Sequence, residues 1–390
     1  MKQLRMNPLA SICGIAALSC SVACGSDDDG SSLGDDAKPV LEGYASIVYA
    51  NYSETLTRTQ ALDTAVDSFV ATPTAASLLT AQNAWKTARD PYGESEVYRF
   101  YDGPIDNPVD GPEGEINAWP MDEVFVDYVQ DDPTAGIINE TAMFPTLSKE
   151  IIAQQNEEGG ETNISTGYHA VEFLLWGQDL SASGPGARPY TDYLTTGGTA
   201  ANQARRGQYL RAVSELLADD LTVVKDAWAP GVASNYRAEF VALTATEGLR
   251  RILQGMGSLA GAELSGERMS VAVENRDQED EHSCFSDNTH RDIHNNALAI
   301  QNAYLGRYGS TDGPGLDDLV SARDAALDTK LKGQLQASLD AIEEIPVPFD
   351  QALTTDAGRA LILVAVDALQ AETETIVEVA TLLGITLNLE

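Results

Sequence analysis

The chain has 390 residues, 60 acidic against 24 basic, and a formal charge of −36. So acidic a protein excludes nucleic acid as a partner, because binding to phosphates requires a basic face. Its 43% hydrophobic content is enough for one large or two ordinary domains, while the excess carboxylates serve solubility or draw cations toward a site.

At the N-terminus, Lys2 and Arg5 precede a largely apolar run from Leu9 to Ala23. The run is too short to span a bilayer, so residues 1–23 read as a secretory signal. Ser21-Val22-Ala23-Cys24-Gly25 resembles a bacterial lipobox with Cys24 as the lipidated residue. Cys20 is a second candidate, and a cleaved signal without lipid is the alternative. Residues 24–40, in which Cys24 is followed by Gly-Ser-Asp-Asp-Asp-Gly-Ser-Ser, read as a flexible tether. With the signal removed and Cys24 lipidated, Cys284 alone remains, so no internal disulfide is available. It stands between His282 and His290 and reads as a ligand, a nucleophile or a buried thiol.

Beyond the tether, helical periodicity dominates. Tyr44, Val48, Tyr52, Thr55, Thr59, Leu62, Val66 and Phe69 recur at spacings of three and four, and Leu78, Ala81, Trp85, Ala88 and Tyr92 continue the pattern in a second helix. Residues 102–120, rich in Gly, Pro and Asp, read as loop, and a short helix follows near 121–130. Another helix spans about 163–178. The Gly/Thr/Pro-rich stretch 181–200 reads as a boundary, giving a first helical bundle over 41–195 and a second over 196–390. The second half predicts helices near 201–229, 236–268, 287–308, 316–344 and 353–384, and no strand pattern competes.

The most informative stretch is Gly167-Tyr168-His169-Ala170-Val171-Glu172-Phe173-Leu174-Leu175-Trp176-Gly177. Positions i and i+3 share a helix face, so His169 and Glu172 project together from an apolar stripe. Helical bundles build metal sites from such inward-pointing residues; an ordinary His–Glu hydrogen bond is the alternative. The other three histidines, His282, His290 and His294, cluster in the second half. A mixed nitrogen and oxygen set suits iron, zinc or copper, while local hydrogen bonding in a polar loop explains the cluster equally well. Glu263 and Glu267 extend the stripe of Leu249, Ile252, Met256 and Leu259, and Glu96 follows Tyr92 by one turn. A carboxylate on an apolar face needs a pair or a metal. Arg89 and Arg99 are available to Glu96, and Arg250 and Arg268 to Glu263 and Glu267. The candidate metal ligands are thus His169, Glu172, Glu96, Glu263, Glu267 and His290, with His282 and Asp287 in reserve.

The His169–Glu172 stretch resembles the signature of the imelysin-like family. So do Trp85, Ala88-Arg89, Tyr92, Ser95-Glu96 and Arg99-Phe100, and Ile116-Asn117-Ala118-Trp119-Pro120. The later GMGSLAGAELSGERM and DQEDEHSCFSDNTHRD segments are similar to its iron-regulated protein A branch, and the resemblance runs from about Val40 to the C-terminus. It implies an all-α protein of two helical bundles packed side by side, with the H-x-x-E motif near their junction. It also implies a place in a Gram-negative-type cell envelope, as an outer-membrane lipoprotein or in the periplasm, and a link to iron uptake. Some members are described as insulin-cleaving metalloproteases.

Three functions follow. The first is binding of a metal ion, iron before zinc or copper, with an envelope transport partner to receive it. The second is a metallopeptidase with Glu172 as ligand or base, although the chain lacks H-E-x-x-H and its inverted form. The third is a binding module for a protein or small non-metal ligand, with His169 and Glu172 as a polar anchor in a pocket.

Overall fold

The apolar spacing from Tyr44 to Phe69 folds as part of one long helix, α1 (Ser31–Ala71), in a computed structural model that describes residues 31–389. All eight residues of that stripe are buried, because spacings of three and four hold them on one face. The helix starts earlier than expected. Residues 31–40, read as tether, are helical because Ala37 and Val40 extend the same stripe into the core. The signal segment and Cys24 lie outside the described residues.

The second helix, α2 (Ala75–Gly93), starts at a capping box of Thr74 and Ser77 and buries Leu78, Ala81, Trp85, Ala88 and Tyr92 as expected. The H-x-x-E helix is α3 (Gly167–Trp176), and α4 (Gln203–Ala227) follows. One group of helices forms where α1 packs on α2 and α4, and α3 on α2 and α4. Helix α4 thus packs with helices of the first half. The reason is its own stripe: Leu210, Val213, Leu217, Leu221 and Val224 are buried, and α1 is the surface against which the helix lies.

The second group comprises α5 (Ala245–Ser258), α6 (Thr289–Leu305), α7 (Ala325–Glu343) and α8 (Asp356–Leu382). Here α8 packs on α7 and α5, and α7 on α6; α2 meets α6 and α1 meets α5 where the groups join. The buried apolar side chains of both groups form one connected cluster. The fold is all-α, with one short antiparallel pair among the described residues, Arg307–Tyr308 with Thr311–Asp312.

Three expected helices are broken by side-chain caps, which hydrophobic periodicity does not register. Thr244 accepts from Glu247 N and starts α5 after the short Tyr236–Phe240 turn. Asp324 accepts from Ala326 N and Leu327 N, dividing Leu316–Arg323 from α7. Thr355 accepts from Gly358 N and divides Phe349–Thr354 from α8.

A further departure bears on the site. Helix α5 runs directly into a π-helical segment, Leu259–Ser270, whose wider turn rotates the inward face away from the α-helical stripe. Leu264, Ser265, Arg268 and Met269 are buried there, while Glu267 is exposed and Glu263 partly so. The expectation that Glu263 and Glu267 continue the apolar stripe is therefore corrected. An arginine takes the inward place. No helix among the described residues is long and apolar enough to cross a membrane.

Candidate functional site

Glycine sets the start of α3. Gly167 has φ +78°, and a Cβ there would lie 2.4 Å from the carbonyl oxygen of Ile116. Only glycine lets this helix end abut Ile116, bringing it beside the loop of Asn117 and Trp119. One turn in, His169 and Glu172 are fully buried. His169 Nδ1 shares a hydrogen bond with Glu172 Oε2 at 3.0 Å, and Oε1 accepts from Ser286 N at 3.0 Å and Ser286 Oγ at 2.7 Å. Burial pushes Glu172 up to about 8 against the Ser286 bonds. It also pushes His169 well below the usual imidazole range, with Arg89 and His282 adding to the effect. Both partners thus favour their neutral forms, and the contact is a hydrogen bond rather than an ion pair. His169 Nε2 has no hydrogen-bond partner among the described residues.

A second imidazole lies beside the first. The His169 and His282 rings meet at 4.9 Å and 71°. His282 Nδ1 lies 2.9 Å from Asp292 Oδ2 and 3.1 Å from Arg89 Nη2. Burial, Arg268 and Arg89 lower His282 to about 4, with Asp292 opposing them. Burial alone would raise the Asp292 carboxyl, but Arg89 and the bonds from His282 and Ser283 hold it far below the usual carboxylate range. Each imidazole thus has a carboxyl on Nδ1, the arrangement that orients histidine in metal sites.

Arg89 carries the network onward. It bonds Asp292 across the α2–α6 junction and Asn117 in the loop. Asn117 donates to Glu96 at 3.3 Å, and Glu96 takes Arg268 at 2.6 Å and Arg99 at 2.9 Å. Burial would raise Glu96, but the two guanidiniums bring it down to about 2. Glu263 bonds Arg268 at 2.9 Å. The ion-pair readings of Glu96 and Glu263 are the ones this geometry favours.

Next to the network a cavity of about 590 Å³ opens, with Asn117, Trp119, Arg99, Arg268 and His282 on its wall. Seven carboxylates line it, including Glu113, Glu263, Glu267 and Glu279, against two guanidiniums and one imidazole. The volume falls within the roughly 300–1,000 Å³ of small-molecule sites.

The structure therefore brings together His169, Glu172 and the reserve His282, with Glu96 one link away and Glu263 and Glu267 on the cavity wall. His290 does not join them. It lies on α6, and the charges that face it are Glu343, His294 and Arg291. Asp287, in a left-handed turn at φ +54°, faces Asp350, Asp179 and Lys86 instead. Cys284 is buried, and burial with Glu172 nearby pushes its thiol well up, which leaves it a structural residue. Asp292 and Ser286 are not singled out by the sequence, and Arg89 enters there as a partner for Glu96 and as one of the residues that carry the family resemblance. One signal for Arg89 was present: a guanidinium on the buried stripe between Ala88 and Tyr92.

Comparison with known proteins agrees with this architecture. An iron-regulated protein A of Synechococcus elongatus is 23% identical over 341 residues, covering 86% of this chain and 83% of its own length. A solved structure described as an iron-regulated protein A precursor, from Parabacteroides distasonis, superposes with a TM-score of 0.69 at 21% identity. It covers 89% of this chain and 95% of that one. An imelysin-like protein of Psychrobacter arcticum gives a TM-score of 0.66 at 14% identity, over 90% of this chain and 96% of that one. The imelysin family matches residues 48–376, and the chain belongs to it.

Proposed function

We propose that this protein captures a metal cation in the cell envelope in the service of iron uptake, the cation entering the acid-lined cavity with some of its own ligands attached. The observation that carries the reading is the sign of the cavity wall, seven carboxylates against two guanidiniums and one imidazole. Clefts lined by one sign of charge focus the field and concentrate counter-ions. At the inner end, His282 supplies a nitrogen donor on the cavity wall, with His169 buried behind it, and each imidazole is oriented by a carboxyl. Among the described residues no three His, Cys, Asp or Glu side chains form a group that could hold a metal ion, and Glu96 and Glu263 are bonded to arginines. These donors fit a cation that keeps water or a chelator, and do not fit a bare ion enclosed by protein ligands alone. Iron is the metal of choice because two relatives are named as iron-regulated. Lipidation at Cys24, an outer-membrane or periplasmic place and a receiving transport partner belong to the same proposal.

Peptide hydrolysis is supported less well. It needs a carboxylate free to take a proton from a metal-bound water, and both oxygens of Glu172 are already bonded.

Equilibrium dialysis against ferrous salt, ferric citrate, zinc and copper, at low and high ionic strength, tests the proposal. Stoichiometric, salt-sensitive binding that weakens in Glu263→Gln/Glu267→Gln and in His282→Ala is expected. No binding of any of the four at millimolar concentration overturns it and leaves a module for a non-metal ligand. Metal-dependent peptide cleavage lost in Glu172→Gln favours the peptidase.

A further inference from the structure

Two rings that line the cavity also lie against His169. His282 lines the cavity and meets His169 at 4.9 Å. Trp119 lines it too, with its ring centroid 4.8 Å from His169 at 51° and 5.8 Å from Phe285. His169 does not line the cavity, is fully buried, and has an Nε2 without a partner among the described residues.

The two rings are held very differently. His282 is fixed by Asp292 and Arg89, both buried. Trp119 makes no hydrogen bond to any described residue, through its indole N–H or its backbone, and is held by ring contacts and by partial packing against the core. It is only partly buried, and Pro120 beside it is exposed. Segments with few hydrogen bonds and few buried contacts open at the lowest free-energy cost. His169 is the reverse case: a buried ring nitrogen without a partner is costly where it stands, and contact with the cavity would relieve that.

We infer that Trp119 is a movable partition, whose swing away from His169 adds Nε2 to the cavity wall beside His282. The cavity then offers two imidazoles instead of one. A ligand that coordinates nitrogen gains a second donor, and one that does not gains only space. The purpose of the partition rests on the metal-capture reading, whereas its geometry does not.

Carbethoxylation of the four histidines by diethyl pyrocarbonate, mapped by peptide mass without added metal, tests the partition directly. In the wild type His169 is expected to react more slowly than His282. In Trp119→Ala its rate rises by on the order of tenfold, the ratio for removing an opening cost of about 1.4 kcal/mol, while His290 and His294 keep their rates. Trp119→Phe, which keeps an aromatic ring and the fold, falls between the two. An unchanged His169 rate in both variants overturns the inference, as does a wild-type rate equal to that of His282. A parallel rise at all four histidines in Trp119→Ala marks unfolding, and Trp119→Phe then decides by the same comparison. Metal dialysis of the same proteins separates the two ideas, since binding in the cavity can persist where His169 labelling fails to respond, and the reverse.

Discussion

Replacing Arg89 with methionine removes the charge that joins the two helical groups while keeping most of the side-chain length. The guanidinium is 1% exposed and lies 3.2 Å from the equally buried Asp292. It also bonds Asn117 and sits 5.3 Å and 5.1 Å from the centroids of Tyr92 and Tyr168. Leaving a buried carboxylate without its partner costs about 3–5 kcal/mol. At about 2–4 °C per kcal/mol for a large domain, the thermal midpoint falls by roughly 6–20 °C. Asp292→Asn in the same background removes the orphaned charge and should recover about 1–3 kcal/mol. His282 supplies an independent reading. Arg89 is among the groups that lower it to about 4 while Asp292 opposes them, so its pKa rises in Arg89→Met, measured by imidazole NMR against pH. A loss of stability below about 1 kcal/mol, ordinary for a surface substitution, would refute the argument. So would a double variant no more stable than Arg89→Met.

Two further outcomes follow from buried carboxyls. Glu172→Gln preserves the shape and a carbonyl for Ser286 N–H and Oγ–H, and it replaces a group that burial already pushes up to about 8. Its stability should stay within about 1 kcal/mol of wild type, whereas Glu172→Leu strands those donors and costs about 2–4 kcal/mol; equal midpoints for the two variants would contradict this. Glu372 on α8 is 1% exposed, bonded to Ser338 at 2.6 Å, and burial raises it from 4.5 to about 8. The folded state therefore holds this proton more tightly than the unfolded one, so its contribution is full below pH 4.5 and disappears as pH rises toward about 8. Urea titrations at pH 5 and pH 8.5 should show Glu372→Gln less sensitive to alkaline pH than wild type, by about 4 kcal/mol; parallel pH profiles would show that Glu372 does not titrate as argued.

What the sequence made legible, and what it concealed, divides along a physical line. The stripes of α1 and α2 and the His169–Glu172 pair depend on neighbours three or four residues apart, so local spacing is enough to read them. Whether Glu263 and Glu267 face inward depends on the turn width beyond Leu259, which the packing of the π segment against α8 and α6 decides. No α-helical wheel registers that. His290 and Asp292 show the same limit, because they are two residues apart on α6 yet face Glu343 and Arg89 respectively. The Arg89–Asp292 contact joins residues 203 positions apart, and spacing carries no information about it. The total charge of −36 was plain from composition, but composition could not show that acids from the 113, 157–161, 263–267 and 279–280 segments line one cavity. Glu96 is a buried carboxylate that meets two guanidiniums, and one of them belongs to a residue 172 positions away, which no local spacing registers. The same reasoning limits what the arginines can do. Arg99 and Arg268 already answer Glu96, Glu113 and Glu263, so they offset acids rather than offer free positive charge. The wall they share with His282 therefore keeps its negative sign, and that sign is what the proposed capture of a cation, rather than of an anionic substrate, rests on.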